Sequence, residues 1–250
     1  MKNRKGIRVL ALLADIHANI EALEACLAHA RDRGATRYAF LGDLVGYGAD
    51  PGPVVEVVRE YAGNGAVVVQ GNHDAAVFKS AGALNEGARA VVLWTREVLS
   101  KEQISWLGSL PLCVREDQIC FVHASAASPG RWEYVDDAPS AKRSADAARS
   151  AWTFGGHVHR QHLFFETGIG TMSAFAPTPG SRVPTPKTRR WVVTAGSVGQ
   201  PRERNLAAAY ALFDSRREAM TFERVPYDYL AAARKVRAAG LPDLFARGTP

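Results

Sequence analysis

Three short apolar segments near the start of the chain are each followed at once by polar residues. The segments Ile7–Ala14, Arg37–Leu41 and Ala66–Val69 have the length and apolar character of buried strands. Between them, Asn19–Arg33 has the apolar spacing of a helix, and Pro53–Tyr61 is opened by a proline, as many helices are. This βαβαβ order predicts a parallel sheet, in which the carboxyl ends of all three strands meet at one edge.

The polar residues that follow these strands are candidates for a binding site. ADIHAN follows the first strand, LGDLVGYGADP the second and QGNHD the third. Because ligands bind outside the carboxyl ends of the strands in open α/β sheets, we expect these side chains to gather at one edge. The candidates are Asp15, His17, Asp43, Asn72, His73 and Asp74.

The second half of the chain is rich in predicted strands and repeats the pattern. His123 follows the segment ICFV, and His157 and His159 follow WTFGG. Four further strands are predicted before a closing helix over Tyr227–Ala239. They are Leu163–Glu166, Arg190–Thr194, Ala208–Asp214 and Ala219–Val225.

The residue types at these strand ends indicate a metal site. Carboxylates mixed with imidazoles and one amide suit divalent Mn, Fe, Co, Ni or Zn, rather than calcium or a thiolate zinc site. Seven ligands are too many for one such ion, whereas two ions roughly 3.5–4 Å apart that share a carboxylate would use them all. The seven are Asp15, His17, Asp43, Asn72, His123, His157 and His159.

In order and approximate spacing, these motifs resemble those of the calcineurin-like metallophosphoesterases, especially the small prokaryotic phosphodiesterase and phosphatase members. The resemblance extends from residue 9 to about residue 202. A single D-x-H or G-x-H motif arises often by chance, but five motifs that each follow a predicted strand are specific. The motifs are D-I-H at Asp15–His17, G-D at Gly42–Asp43, G-N-H-D at Gly71–Asp74, His123 in VHAS and G-H-V-H at Gly156–His159, followed by GSVGQPR at Gly196–Arg202.

The resemblance implies an α/β fold of two packed mixed β-sheets flanked by helices, in a single metallophosphoesterase domain over residues 1–250. It also implies two divalent metal ions bridged by Asp43. The implied ligands of the first ion are Asp15, His17 and His159, and those of the second are Asn72, His123 and His157.

The chemistry implied is hydrolysis of phosphodiesters, phosphomonoesters or both. Two dications would convert a bridging water into a hydroxide nucleophile near neutral pH and neutralise the phosphate oxygens. His73, next to Asn72, is placed to stabilise the developing charge or protonate the leaving oxygen, so it is the predicted catalytic residue. We expect a small phosphorylated or nucleotide-like substrate, with manganese among the possible metals.

One stretch departs from the family's better-known branches. Ser/Thr protein phosphatases and dinucleoside tetraphosphate hydrolases generally carry Arg-Gly after G-D, whereas this chain has LVGYG at Leu44–Gly48. In the protein phosphatases, a preceding Asp also helps to orient the catalytic histidine. Asp74 and Asp50 are the two alternatives for that role here.

Each motif also has an ordinary structural explanation. His17 could cap a helix, and Asp43 and Asn72 could be turn residues. For these explanations to hold together, all five motifs would have to arise by coincidence, so we favour the metal site.

Three further residues are weaker candidates for substrate binding, with capping or surface ion pairing as alternatives: Asn19, Arg160 and Arg202.

Three segments are expected to determine substrate choice. Residues 75–112 predict a helical cover of two helices, one from Asn85 to Leu99 and one capped by Ser100. The loops Ser125–Pro139 and Gly168–Lys187 lie between predicted strands, and the second is proline-rich, which is typical of a mobile excursion.

Composition narrows the cellular context. Three cysteines without C-x-x-C spacing argue against a disulfide framework, and no apolar run reaches the roughly 18 residues that cross a bilayer. We therefore expect a cytoplasmic protein that does not enter membranes. Residues 181–250 hold 13 Lys and Arg against 6 Asp and Glu, which favours a solvated basic face over nucleic-acid binding.

Two other functions remain as alternatives to the enzyme. One is a protein-binding scaffold of the same fold that does no chemistry, which is disfavoured because His73 and all seven ligand positions are present. The other is a nuclease or nucleic-acid binder, which depends on the basic C-terminal segment alone. The sequence does not specify an oligomeric state.

Overall fold

Two mixed six-stranded β-sheets form the centre of the fold in the computed structural model, which describes residues 9–79, 86–202 and 205–243. The first sheet has the strand order β3-β2-β1-β11-β12-β9. Its strands are β1 (Val9–Leu13), β2 (Arg37–Phe40), β3 (Val67–Val68), β9 (Arg182–Pro184), β11 (Ala208–Asp214) and β12 (Ala219–Val225).

The second sheet has the order β4-β5-β6-β10-β7-β8. Its strands are β4 (Cys113–Glu116), β5 (Ile119–Val122), β6 (Trp152–Gly155), β7 (Gln161–Glu166), β8 (Met172–Phe175) and β10 (Trp191–Ala195). Strands β1, β2 and β3 pair in parallel, which confirms the predicted βαβαβ unit. Antiparallel pairing of β1 with β11 makes the first sheet mixed.

The core between the sheets is built from alternate residues of their strands. Leu10 and Leu12 of β1 and Phe213 of β11 share one buried cluster with Phe121 and Phe154 of the second sheet. The Phe213 ring lies 5.3 Å from that of Phe154, a spacing typical of favourable aromatic pairs. The intervening residues of β1 face the helices, so β1 is apolar on both faces. Its sequence is therefore an uninterrupted apolar run rather than an alternating one.

Seven α-helices flank the sheets within the described residues. Asn19 caps the first through a hydrogen bond that its Oδ1 accepts from the Ala22 amide. The predicted cap Ser100 is confirmed at the start of the fifth helix, where it forms a capping box with Gln103. The helices are α1 (Ile20–Asp32), α2 (Pro51–Gly63), α3 (Asn72–Phe78), α4 (Glu86–Val98), α5 (Lys101–Ser109), α6 (Ala138–Ala148) and α7 (Tyr229–Ala238).

The predicted loop excursion over Gly168–Lys187 is wrong in part, because it contains β8 and β9. These strands pair with β7 and β12 at the outer edges of the two sheets. Prolines are tolerated there because an edge strand has unpaired backbone positions, so Pro184 ends β9 without breaking a ladder.

Three other elements were not predicted. β4 is a short strand without a buried face, and α6 is rich in Ala and Ser and lacks a strong apolar stripe. The short α3 begins at Asn72 itself. The predicted helix cap Asn85 lies outside the described residues.

All three cysteines are free thiols. Among the helices that the structure describes, none is both long and apolar enough to cross a bilayer.

Candidate metal centre

Five loops at the ends of β1, β2, β3, β5 and β6 bring the seven candidate ligands together. Six of the seven side chains are buried, and Asn72 is partly exposed. Backbone hydrogen bonds tie the loops to one another, because the Asp15 amide donates to the Gly42 carbonyl and the His17 amide to the Asp43 carbonyl. The strand ends predicted from the sequence therefore do converge.

The first group of donors comprises Asp15, His17 and His159. The Nε2 atoms of the two imidazoles lie 3.1 Å apart, and Asp15 Oδ1 lies 3.5 Å from His159 Nε2. One donor atom from each residue falls within the span that a single ion could bridge.

The second group comprises Asp43, His123 and His157, with Asn72 beside it. His123 Nε2 lies 3.1 Å from His157 Nδ1 and 3.1 Å from Asn72 Oδ1. Asp43 Oδ2 is 3.4 Å from His123 Nε2 and 3.7 Å from His17 Nε2. The Asp43 carboxylate thus touches both groups.

Hydrogen bonds at the outer ring nitrogens determine which atoms face inward. The Nδ1 atoms of His17, His123 and His159 lie 3.2, 2.7 and 2.7 Å from the carbonyl oxygens of Val45, Leu41 and Gln200. A carbonyl can only accept, so each Nδ1 carries a proton, and in the neutral imidazole, which is the form that binds a metal, each Nε2 presents a lone pair.

Inward-facing lone pairs about 3 Å apart are a poor arrangement for neutral imidazoles, since neither nitrogen of such a pair can donate to the other. Together with two carboxylates, they are well suited to divalent cations. Carbonyl groups that orient the far nitrogen of a histidine are the usual support around a metal ligand. The side chains present therefore fit two divalent ions.

The electrostatics of the two carboxylates differ. Burial raises the pKa of Asp15 to about 8, and repulsion from Asp43 adds to that effect although His123 opposes it. For Asp43, burial is outweighed by His123 and His73, which hold its pKa well below the usual value.

The pKa values of the histidines differ as well. Burial alone would lower the pKa of His123, but Asp43 raises it to about 9. Burial lowers the pKa of His157 and of His159 to about 3.

The backbone at the centre adopts sparsely populated conformations. Asp15, His17, Asp43, His157 and His159 all have φ values between 49° and 68°. Residues other than glycine rarely occupy this left-handed region, and where they do the site is often functional. Five of the seven candidate ligands share this feature.

Two glycines allow the loops to approach. A Cβ on Gly71 would lie 2.2 Å from the amide nitrogen and from Oδ1 of Asp43, and a Cβ on Gly156 would lie 2.5 Å from Asp15 Oδ2. Both distances are shorter than any Cβ contact, so a larger residue would displace a carboxylate.

His73 lies at the rim of both groups. Its backbone amide donates to Asp43 Oδ1 at 2.8 Å, and its ring is edge-on to that of His17 with centroids 5.0 Å apart. With His17 and Asp43 it forms a third cluster of potential donors. Its Nδ1 is buried without a hydrogen-bond partner among the described residues.

Neither acidic residue considered for orienting His73 does so. Asp74 accepts hydrogen bonds from the amides of Leu44, Val45 and Gly71. Asp50 pairs with Lys235 at 2.9 Å. The ring of Tyr47 lies instead 4.5 Å from that of His73 and 4.5 Å from that of His17.

The three weaker candidates for substrate binding differ in their surroundings. Asn19 serves as a helix cap and donates to the Gly199 carbonyl at 3.0 Å. Arg160 is exposed. Burial has the largest effect on the pKa values of Asp15, His73 and His159, and the positive charge of Arg202 lowers all three. Arg202 is therefore within electrostatic range of the centre.

Sequence reasoning missed two aromatic residues of the β5–α6 loop. The Tyr134 ring stacks on His157 at 4.3 Å, and the Trp132 ring meets His123 at 5.9 Å. Trp132 also supplies a backbone hydrogen bond to His157. Their places nine and eleven residues after His123 are the only sequence signal that these two aromatic residues offered.

Comparison with known proteins places this site in context. Residues 9–218 match the sequence profile described as the calcineurin-like phosphoesterase superfamily domain. An uncharacterized protein of Methanocaldococcus jannaschii is 32% identical over 246 residues, which cover 94% of each chain.

Two solved structures are similar over nearly their whole length. A metallophosphoesterase from Sphaerobacter thermophilus has a TM-score of 0.86 and 33% identity, covering 97% of this chain and 98% of its own. A hypothetical protein from Pyrococcus horikoshii OT3 has a TM-score of 0.77 and 23% identity, covering 95% and 96%, and is similar in fold.

Proposed function

This chain belongs to the calcineurin-like phosphoesterase superfamily, and from that premise we propose that it is a dinuclear metal-dependent phosphoesterase. The observation that carries the proposal is the convergence of seven donor side chains whose lone pairs face inward. The metallophosphoesterase of similar sequence and fold supports it.

Each group of donors would hold one ion. Asp15, His17 and His159 would bind the first, and Asn72, His123 and His157 would bind the second. Asp43, which contacts both groups, would serve as the shared ligand.

When bound, two divalent ions, with Mn, Fe, Ni, Co and Zn as the candidates, would lower the pKa of a water molecule and neutralise the charge of the substrate's phosphate. The carbonyl contacts keep the Nε2 atoms of these histidines aimed inward before any ligand arrives. Such preorganisation removes a reorganisation cost from the reaction itself.

His73 is proposed as the catalytic residue. Its amide is tied to Asp43, so its ring stays beside the shared ligand. Burial lowers its pKa, so it is a neutral imidazole before substrate binds. In that state it can donate one N–H to a phosphate oxygen or to the leaving oxygen.

Tyr47 positions the His73 ring in this proposal. No carboxylate of a described residue bonds to the imidazole, and the Tyr47 ring packs against it instead. Arg202 makes no ion pair with a described residue and lies near the centre, so it is available to attract an anionic substrate.

The basic C-terminal segment does not favour the nuclease alternative. Several of its cations already have acidic partners, since Lys235 pairs with Glu21 and Asp50, and Arg237 pairs with Asp243. The scaffold alternative is disfavoured by the complete donor set and by the presence of His73.

The proposal is tested by hydrolysis of bis-p-nitrophenyl phosphate and p-nitrophenyl phosphate. Metal-stripped protein is resupplied with Mn, Ni, Co, Zn or Mg, beside His73→Ala and the control His29→Ala, whose imidazole bonds to Tyr210 away from the centre. We expect metal-dependent turnover that is lost in His73→Ala and kept in His29→Ala. Absence of metal binding would refute the proposal, and metal binding without turnover of any phosphoester would favour the scaffold.

A further inference from the structure

A small cavity lies directly beside the candidate metal centre. It is enclosed by α7 and by the loops that follow β1, β2 and β10, and His17 and Tyr47 border it as well as the centre. Its other walls include Tyr227, Tyr229 and Ala232. The organic part of a phosphoester bound at the centre would therefore lie next to this cavity.

Among the residues that the structure describes, those lining the cavity offer no unpaired charge. Asp50, the acidic residue that lines it, is neutralised by Lys235 at 2.9 Å. The Asn19 amide donates to the Gly199 carbonyl at 3.0 Å and to the Tyr227 hydroxyl at 3.3 Å, while its oxygen caps α1. Asn19 and Asp50 are thus already committed, and no described residue lining the cavity is an unpaired cation that would bind an additional phosphate.

The size and chemistry of the cavity suit part of one ring. Its volume of about 50 Å³ exceeds the roughly 10–15 Å³ that a single water needs but is below the roughly 150 Å³ of an apolar cavity that encloses benzene, so the cavity admits no more than part of a single ring. Tyrosine rings and the side chains of Ala232 and Val236 supply apolar surface. Aromatic walls favour a flat partner, through offset or edge-to-face packing.

We propose that this cavity binds the organic group of the substrate, and that this group is a neutral, single aromatic ring attached near the phosphate. This inference rests on the proposed phosphoesterase function and narrows its substrate class. It argues against polyphosphate substrates, whose second charged group would have to occupy an uncharged pocket.

Neighbouring alanines on α7 provide a matched pair of variants. Ala232 lines the cavity, whereas Ala231, the preceding residue on the same helix, does not, and both are partly exposed. Ala232→Phe should fill the cavity, and Ala231→Phe adds the same side chain outside it. Tyr229→Ala removes an aromatic wall from a residue that is 44% exposed, so it leaves the core intact.

The experiment compares benzylphosphonate with methylphosphonate, which carry the same charge and differ by a ring. Binding to the manganese-loaded protein is measured by calorimetry. We expect the wild type and Ala231→Phe to bind benzylphosphonate about tenfold more tightly, as burial of roughly 60 Å² of ring surface would provide. Ala232→Phe and Tyr229→Ala should lose most of that preference.

Two results would overturn the inference: equal affinity of the wild type for both phosphonates, or a ring preference that survives in both Ala232→Phe and Tyr229→Ala. If Ala232→Phe does not fold, Tyr229→Ala decides. The proposed function is judged separately, by turnover of bis-p-nitrophenyl phosphate in the same preparations. Turnover without ring preference would reject only the cavity assignment, and ring preference without turnover would reject only the catalytic function.

Discussion

Asp74→Ala should both destabilise the protein and loosen the candidate metal centre. The Asp74 carboxylate is fully buried and accepts three backbone hydrogen bonds. The donors are the amides of Leu44 and Val45, at 2.9 and 3.2 Å, and that of Gly71 at 2.9 Å. This carboxylate therefore joins the loop that carries Asp43 to the loop that carries Asn72.

Removing the carboxylate leaves three buried N–H groups without their acceptor. At about 1–2 kcal/mol for each unsatisfied group, the loss is about 3–6 kcal/mol. That is a large fraction of the roughly 5–15 kcal/mol by which most domains are stable. Asp74→Asn should cost about half as much, because its oxygen can still accept from Leu44 and Val45 while its NH₂ group faces the Gly71 donor.

The assay is urea unfolding of the metal-free protein, followed by circular dichroism, with calorimetric titration of manganese into the folded variants. We expect the free energy of unfolding to fall in the order wild type, Asn, Ala, and the manganese affinity to fall in the same order. A loss below about 1 kcal/mol for Asp74→Ala would refute the reasoning. So would a variant that is destabilised yet binds manganese as tightly as the wild type.

Three further predictions concern the centre itself. Gly71→Ala should abolish metal binding, measured by elemental analysis, because the new Cβ would lie 2.2 Å from the predicted bridging carboxylate; undiminished binding would contradict this. Metal binding at pH 7 should release protons, because the pKa values of Asp15 and His123 are raised to about 8 and about 9. Calorimetry in two buffers of different ionisation enthalpy measures the release, which should decrease as the pH rises through about 8 to 9, and a release that does not change over that range would contradict the prediction. Tyr47→Ala should lower kcat about tenfold with little change in KM, because the packing of the Tyr47 ring positions the His73 imidazole. Tyr47→Phe keeps the ring and should have the kcat of the wild type. Loss of kcat in both variants would contradict a packing role.

Much of the fold was predictable because the informative residues lie in regular patterns. The apolar runs before Asp15 and Asp43 predicted the parallel strands, and their polar ends predicted which side chains would meet. His157 and His159 face different donor groups although one residue separates them, as the resemblance implied.

The unpredicted features depend on the backbone or on long-range contacts. The carbonyl groups of Val45, Leu41 and Gln200 that orient the histidines belong to residues whose side chains carry no signal of that role. The packing of Tyr47 on His73 joins residues far apart in the chain, so no local pattern reports it. For the same reason, Asp74 was considered for a role beside His73 rather than as a bridge between loops.

The most direct measurement is the anomalous diffraction of crystals grown with manganese. The account predicts two peaks per chain, one contacted by Asp15, His17 and His159 and one by Asn72, His123 and His157, with Asp43 touching both. A single peak, a peak elsewhere, or two peaks that do not share Asp43 would contradict the proposed dinuclear centre.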